Sequence, residues 1–276
     1  MAMQASPQLQ FEAPTQFAAI RRRLESLDPQ RLADIVQLLA MTDAGPVIKV
    51  VLAAENSDWA RQVPAWIAGF AVAGSDLVVI FPERSPSYPH DTFDDVLRHE
   101  VAHVLIERAA GGRPVPRWFN EGLAMAVERT WRFQDQTQLL YQLMLGSRTS
   151  LAGLDRLFGG TPSDQTRAYA LAGSFVRDLL QERGAKIPGG ILMRVGRGSS
   201  FDDAFTAATG KTPATANSEF WERQRIWTTW VPIVTSTATL WLAVTVLALF
   251  AIRRRRQKDA EIEEKWEEEE KSGPDG

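Results

Sequence analysis

The sequence predicts an α+β protein with a small sheet near the N-terminus, a mainly helical C-terminal part and a single C-terminal transmembrane helix. Short segments rich in β-branched and apolar residues, at 47–53, 65–73 and 76–81, are typical of strands. Most of the chain beyond residue 90 has apolar residues three and four apart, which predicts amphipathic helices. Near the end, residues 231–252 carry no charge and are long enough to cross a bilayer of about 30 Å.

The composition suits one domain of ordinary size with accessory segments. The chain has 276 residues, and its hydrophobic fraction of 45% can supply a sizeable core. Its formal net charge of −3 gives no general attraction to nucleic acid, so we expect no nucleic-acid partner. The absence of cysteine excludes disulfides and thiolate metal ligands. The oligomeric state is left open.

We divide the chain into four parts. A loosely ordered N-terminus, the main domain, a transmembrane helix with interfacial aromatics and a basic then acidic tail are expected at residues 1–15, 16–226, 227–252 and 253–276. The main domain is predicted to begin with helices at 16–27 and 28–40, followed by the three strands. Gly74 and Ser75 separate the last two strands, which predicts a hairpin.

The second half of the main domain is predicted to be helical, apart from one turn-rich segment. That segment, residues 146–162, contains four glycines and Pro162, and it is a candidate for part of the cleft wall. The helices are predicted at residues 131–145, 166–183, 191–195, 201–208 and 214–230.

The chain contains an H-E-x-x-H sequence, formed by His99, Glu100 and His103. Residues four apart share one face of a helix, so the two imidazoles can bind one zinc ion (Zn2+) at ~2.0–2.1 Å each. Zinc lowers the pKa of a bound water towards ~7, and Glu100 lies where it can act as the general base. Thr92 and Asp95 predict a capping box at the start of this helix.

A second helix follows after a short link. Gly111 and Gly112 end the first helix, and Pro114 and Pro116 lead into the next. A catalytic zinc site has three protein ligands and one open position. Glu121, near the start of the second helix, is the predicted third ligand.

These segments resemble the gluzincin superfamily of zinc metallopeptidases, and most closely the peptidase MA-like domain group. The resemblance covers residues 91–127, where H-E-x-x-H is followed by W-x-N-E-G-x-A, with a slightly shorter link than in the best-known members. The matching residues of the second helix are Trp118, Asn120, Glu121, Gly122 and Ala124. The resemblance implies a gluzincin-like fold, zinc held by His99, His103 and Glu121, and a peptide or protein substrate.

The resemblance also implies an oxyanion donor and a substrate-binding strand. Members of the superfamily place a Tyr or His from a later helix at the metal. Tyr169 is the predicted donor here and Tyr141 the alternative, while Tyr88 precedes the zinc helix. Residues 68–71 are a candidate for the sheet edge that pairs with substrate, with an ordinary hairpin strand as the alternative.

Three further residues are assigned by position. Asp95 and Glu128 are candidate acceptors for the ring N–H groups of the two histidines, with solvated carboxylates as the alternative. His90 lies on the approach to the zinc helix, and we favour a loop histidine without a metal role.

The sequence therefore predicts a membrane-anchored zinc metallopeptidase. The alternatives are a non-catalytic binding or scaffold module that keeps the fold, and a zinc hydrolase with a non-peptide substrate. The presence of all three ligands and the base argues against the scaffold. No acidic motif of the kind that binds a substrate N-terminus in aminopeptidases is visible, so exopeptidase activity is not assigned.

The charges around the apolar segment predict its orientation. Trp227 and Trp230 precede it as interfacial aromatics, and residues 253–256 with Lys258 supply five positive charges directly after it. The positive-inside rule then puts the tail in the cytoplasm and the zinc domain outside. No signal peptide is visible at Met1, so this placement implies that one was removed. A tail-anchored protein with a cytoplasmic zinc domain is the alternative.

Overall fold

The computed structural model describes residues 6–86, 90–128, 148–234, 241–242 and 244–255. These residues form an α+β architecture, with strands in the first third and helices dominating the rest, so the predicted class is confirmed. The chain divides into two units, Met1–Arg223 and Gln224–Gly276. All of the described strands lie in the first unit.

The strands are β1 (Leu9–Glu12), β2 (Ile48–Leu52), β3 (Gly69–Val72) and β4 (Leu77–Ile80). The described helices are α1 (Ala18–Glu25), α2 (Pro29–Leu38), α3 (Phe93–Ala109), α4 (Arg117–Glu128), α5 (Leu151–Leu157), α6 (Pro162–Arg183), α7 (Ile187–Gly196), α8 (Phe201–Thr209) and α9 (Pro213–Val234). Short 3-10 turns lie at Thr15–Phe17 and Ala60–Gln62. The predicted helix at 131–145 lies outside the described residues.

The strands form one mixed sheet in the order β1-β2-β4-β3. β2 pairs in parallel with β1 and β4, whereas β3 and β4 form the predicted antiparallel hairpin. β3 is therefore an edge strand. It packs against α3, which in turn contacts α4, and α4 packs on α6. This succession of β3, α3, α4 and α6 positions the candidate site.

The expectation that residues 1–15 are loosely ordered is wrong for β1. This strand pairs with β2 from Leu9 opposite Ile48 to Glu12 opposite Val51. Leu9 and Phe11 pack against the core while the two residues between and after them face solvent. The alternation is too short to identify a strand locally, and its hydrogen-bond partners lie in a distant part of the sequence.

The segment 146–162, expected to be turn-rich, contains a helix, α5, that the sequence did not predict. Ser150 caps the helix by accepting a hydrogen bond from the Gly153 backbone N–H at 3.1 Å. Leu154 and Phe158 are buried one turn apart, which gives the helix an apolar face. The glycines and Pro162 obscure this spacing in the sequence.

Within the described residues, no helix is both long and apolar enough to cross a membrane. Residues 235–240 and 243 of the predicted span, and residues 256–276 of the tail, lie outside the described part of the chain. The transmembrane helix therefore stays a prediction.

Candidate metal centre

The capping box predicted at Thr92 and Asp95 starts α3. Thr92 Oγ1 accepts a hydrogen bond from the Asp95 backbone N–H at 3.2 Å, and Asp95 Oδ2 accepts one from the Thr92 backbone N–H at 3.1 Å. The cap fixes where α3 begins and thus which face carries His99 and His103. Asp95 Oδ2 also accepts a hydrogen bond from the Thr92 hydroxyl, Oγ1. The structure therefore gives Asp95 a capping role at the start of α3, and its predicted role beside the histidines stays a prediction.

The three predicted ligands meet between α3 and α4. Glu121 Oε2 lies 3.4 Å from His99 Nε2 and 3.5 Å from His103 Nε2. One potential ligand atom from each of the three residues lies within 4.8 Å of the other two. The helical spacing of the histidines and the crossing of α3 by α4 together bring these atoms to one point.

The spacing of these atoms fits a small cation with nitrogen and oxygen ligands. With bonds of ~2.0–2.1 Å, as zinc makes to imidazole and carboxylate, a tetrahedral site has ligand atoms about 3.3–3.4 Å apart. Glu121 Oε2 is buried and accepts no hydrogen bond from any described residue. A buried carboxylate oxygen needs a partner, and either a protonated imidazole or a metal cation at this point would supply one.

The charges within the cluster favour an ionised carboxylate. Burial alone would raise the pKa of Glu121, but the neighbouring imidazoles of His103 and His99 hold it well below its usual range. For His103, burial alone would lower the pKa of the imidazole, but Glu121 raises this pKa above its usual value. In the metal-free protein the site is therefore an anionic acceptor beside two imidazoles, and a cation competes with a proton on His103.

His103 is oriented by Asn120, which sequence reasoning did not identify as its partner. Nδ1 of His103 lies 2.9 Å from Oδ1 of Asn120, and the amide oxygen can only accept. Nδ1 therefore carries a proton, which leaves Nε2 as the ring nitrogen that could bind a metal. Asn120 precedes the third ligand in the sequence, and that adjacency was the available signal. The side chain of the other candidate, Glu128, lies outside the described part of the structure.

Glu100 faces the edge strand. Its Oε2 accepts a hydrogen bond of 2.8 Å from the backbone N–H of Ala71 on β3. The Ala68 carbonyl accepts from the Phe81 N–H, so alternate residues of β3, including Ala71, turn their backbone groups away from β4. The predicted segment 68–71 thus overlaps an edge strand beside the candidate base. Its pairing with substrate stays a prediction.

A glycine allows this close approach of strand and helix. A Cβ atom on Gly69 would lie 2.6 Å from Val96 Cγ1 on α3 and 3.1 Å from the Val79 carbonyl oxygen on β4. At both distances the neighbouring atoms would have to move to make room for the Cβ atom. The missing side chain therefore lets β3 settle on α3 closely enough for Ala71 to reach Glu100.

Tyr169 lies on α6, where its ring meets that of Phe158 edge-on with the centroids 5.2 Å apart. Burial raises the pKa of its phenol, and the negative charge of Glu121 raises it further, whereas the positive charge of Arg117 acts in the opposite direction. The phenol therefore keeps its proton and remains a hydrogen-bond donor at neutral pH. The alternatives Tyr141 and Tyr88 lie outside the described residues.

Gly122 brings α6 against α4. A Cβ atom at this position would lie 2.5 Å from the Ala172 carbonyl oxygen and 2.6 Å from Val176 Cγ2. Ala172 follows Tyr169 by about one turn on the same face of α6. The close helix contact permitted by Gly122 thus brings the turn of α6 that carries Tyr169 near the turn of α4 that carries Glu121.

His90 lies closer to the cluster than expected for a loop histidine. Its ring meets that of His99 edge-on, with the centroids 4.6 Å apart. His90, His99 and Glu100 also form a second group with potential ligand atoms within 4.8 Å. Because His99 belongs to both groups, His90 borders the centre on the side of Glu100.

Sequence reasoning missed two residues that hold α4 in place. Arg117 Nε lies 3.4 Å from Glu121 Oε1, a pair at the helical i,i+4 spacing that could have been recognised. Asp155, on α5, accepts a hydrogen bond of 2.7 Å from the Trp118 backbone N–H and so caps α4 from outside. Burial raises the pKa of Asp155, although the bond from Trp118 opposes this. No local pattern links Asp155 to α4.

Comparison of the chain with protein-family models finds no match, and comparison with curated proteins finds no significantly similar sequence. The assignment of a function therefore rests on the residues of this centre and their geometry.

Proposed function

We propose that the chain is a zinc-dependent metallohydrolase of the gluzincin type that hydrolyses peptide bonds. The observation that carries the proposal is the convergence of Glu121 Oε2 with the Nε2 atoms of His99 and His103, at 3.4 and 3.5 Å. A carboxylate that could serve as general base, Glu100, lies next to His99 in the same helix. This combination is the minimum that metal-assisted hydrolysis requires.

His99, His103 and Glu121 would hold the zinc through two nitrogens and one oxygen, a donor set that zinc accepts. When bound, zinc polarises a carbonyl group and lowers the pKa of water to ~7. Asn120 keeps Nδ1 of His103 protonated, so that Nε2 is available as a ligand.

Residues of the chain carry out proton transfer and stabilise the developing charge. Glu100 takes a proton from the attacking water and passes it to the departing amine, with the Ala71 N–H holding its carboxylate in place. Tyr169 keeps its phenolic proton and donates a hydrogen bond to the oxyanion that develops on the substrate.

The position of β3 supports a peptide as the substrate. β3 pairs with β4 along one side only, and it runs past Glu100. An extended peptide can add to such an edge through main-chain hydrogen bonds, which would lay its backbone across the centre.

The test compares the wild-type chain with Glu100→Gln on a peptide library with zinc present. Glu100→Gln should bind one zinc as the wild type does, because no ligand is removed. Its turnover should fall by roughly 10²–10⁴-fold, because the base is lost. Glu25→Gln, the same substitution on an exposed face of α1, serves as the control. Equal hydrolysis by Glu100→Gln contradicts the mechanism. A zinc-binding wild type that cleaves no peptide would favour the scaffold or a different substrate.

Tyr169→Phe tests the oxyanion donor in the same assay. Loss of one such donor commonly lowers kcat by about 10²–10³-fold, with zinc content unchanged. Unchanged kcat would remove Tyr169 from the mechanism.

We also propose that residues 227–252 anchor the protein in a membrane, with the zinc domain outside the cytoplasm. Among the described residues, 244–255 are helical, and large apolar side chains such as Leu247 and Phe250 are exposed there. The positive charges at 253–256 support the orientation. Protease added to spheroplasts should digest the zinc domain and spare the tail. Digestion of the tail with protection of the zinc domain would indicate the opposite orientation.

A further inference from the structure

The two oxygens of the Glu121 carboxylate have different surroundings. Oε2 faces His99 and His103, whereas Oε1 faces Arg117 Nε at 3.4 Å. A carboxylate can ligate a metal through one oxygen or through both. With Oε1 directed at a guanidinium, only Oε2 is aimed at the ligand cluster.

Arg117 is itself held by more than this ion pair. Its side chain is 52% exposed, and an isolated surface pair of that kind contributes little. However, its guanidinium also lies over the Phe158 ring, 4.9 Å from the centroid. Phe158 in turn meets the ring of Tyr169 edge-on at 5.2 Å. Phe158 therefore contacts both the guanidinium of Arg117 and the ring of Tyr169.

The backbone of Arg117 is fixed from the same side. It begins α4, and the capping carboxylate of Asp155 comes from α5, one turn before Phe158. α5 thus holds both the start of α4 and the ring under the guanidinium. The direction of the Arg117 side chain is set by tertiary packing as well as by its partner on the helix.

We propose that Arg117 is a positioning residue of the metal centre, which keeps Glu121 Oε1 away from the metal and couples the third ligand to Tyr169. Glu121 then binds through Oε2 alone, and a coordination position stays open for water and substrate. This inference rests on the proposed function, because it concerns the same centre.

The test is cobalt substitution in Arg117→Gln, Arg117→Lys and Phe158→Leu. Four-coordinate Co2+ absorbs visible light more strongly than five-coordinate Co2+, so the spectrum reports whether Glu121 binds through one oxygen or two. Chelator competition gives the metal affinity, and peptide assays give kcat and KM separately. Arg21→Gln is the matched control, because Arg21 pairs with Glu25 at the same helical spacing and lies in α1.

Arg117→Gln should weaken the cobalt absorption and change metal affinity or kcat by about 10- to 100-fold, the usual effect of groups that orient metal ligands. KM should change little. Arg117→Lys should keep part of the cobalt absorption that Arg117→Gln loses. Phe158→Leu should weaken the cobalt absorption too, but less than Arg117→Gln does. Arg21→Gln should match the wild type.

A spectrum and kcat for Arg117→Gln equal to those of the wild type overturn this inference alone. If Arg117→Gln does not fold, an unchanged Phe158→Leu spectrum overturns it instead. A wild-type chain that binds neither cobalt nor zinc overturns the proposed function as well, so the two failures are distinguishable.

Discussion

The two sides of the candidate centre are held by different interactions. On the α3 side, hydrogen bonds tie the helix to the β3–β4 hairpin. Glu100 accepts from the Ala71 N–H at 2.8 Å, and Glu107, two turns further along the helix, accepts from the Gly74 N–H at 2.9 Å. Arg108 adds an ion pair to Asp76. The hairpin is thereby fixed along the length of the helix.

On the α4–α6 side, packing of aromatic side chains predominates, beside the hydrogen bond from the Trp118 N–H to Asp155. Trp118 is almost fully buried, and aromatic rings of α4, α6 and α8 surround it. Its neighbours, with centroids 5.1–6.3 Å away, are Phe119, Phe175, Phe201 and Phe205. Gly122 lets the backbones of α4 and α6 touch one turn further along.

The two sides should therefore contribute differently to the stability of the fold and to the position of Glu100. Buried aromatic contacts contribute a large part of the folding free energy, whereas single hydrogen bonds near the surface contribute about 1 kcal/mol each. The hydrogen bonds are directional, however, and the one from Ala71 sets the position of Glu100, the proposed base. We therefore expect substitutions on the helical side to lower stability, and substitutions on the hairpin side to act mainly on turnover.

The largest effect is expected for Trp118→Ala. Removal of this side chain leaves a cavity among four phenylalanines and should lower the free energy of unfolding by about 3–5 kcal/mol. Denaturant titration measures the change. Trp66→Ala is the control because Trp66 is 56% exposed, and it should stay within about 0.5 kcal/mol of the wild type. Equal effects of the two substitutions would show that the aromatic cluster does not hold this side.

A smaller decrease in the free energy of unfolding is expected for Gly122→Ala. The new Cβ would meet the Ala172 carbonyl oxygen at 2.5 Å, and a helix backbone cannot easily move aside, so we expect about 1–3 kcal/mol of destabilisation. Gly190→Ala makes the same change in α7, where the nearest atom is the Arg194 side chain at 3.4 Å. It should be neutral or stabilise by up to about 1 kcal/mol. A Gly122→Ala protein as stable as Gly190→Ala would contradict the close contact of α4 with α6.

The smallest effect on stability is expected for Glu107→Ala. Loss of the hydrogen bond to Gly74 should lower the free energy of unfolding by only about 0.5–1.5 kcal/mol. Because the hairpin carries Ala71, kcat should fall without loss of bound zinc, and amide exchange at Ala71 should become faster. Unchanged exchange at Ala71 would show that Glu107 does not hold the hairpin. Glu25→Ala controls for removal of a helical carboxylate.

The sequence predicted those parts of the centre that one helix defines. His99, Glu100 and His103 follow from the spacing of a single turn, and the capping box at Thr92 follows from a four-residue pattern. The convergence of Glu121 on the histidines could be predicted only through the resemblance, because it depends on how two helices cross.

The features that the sequence did not predict depend on contacts between distant residues. The Ala71–Glu100 hydrogen bond joins residues 29 positions apart, and the Asp155–Trp118 bond joins residues 37 apart. Asn120 is adjacent to a ligand, yet its contact with His103 also requires the helix crossing. β1 was missed for the same reason, since a four-residue strand is stabilised by the sheet that it joins.

The place of β1 has a practical consequence for where the domain can be cut. A domain started at residue 16, the boundary that the sequence suggests, would lack β1 and uncover the side of β2. The exposed strand would be Ile48–Leu52, in which every residue but Lys49 is a branched aliphatic. An uncovered apolar strand readily pairs with another molecule, so such a fragment should aggregate during expression. A fragment that begins before Leu9 keeps this side of the sheet covered and should remain soluble.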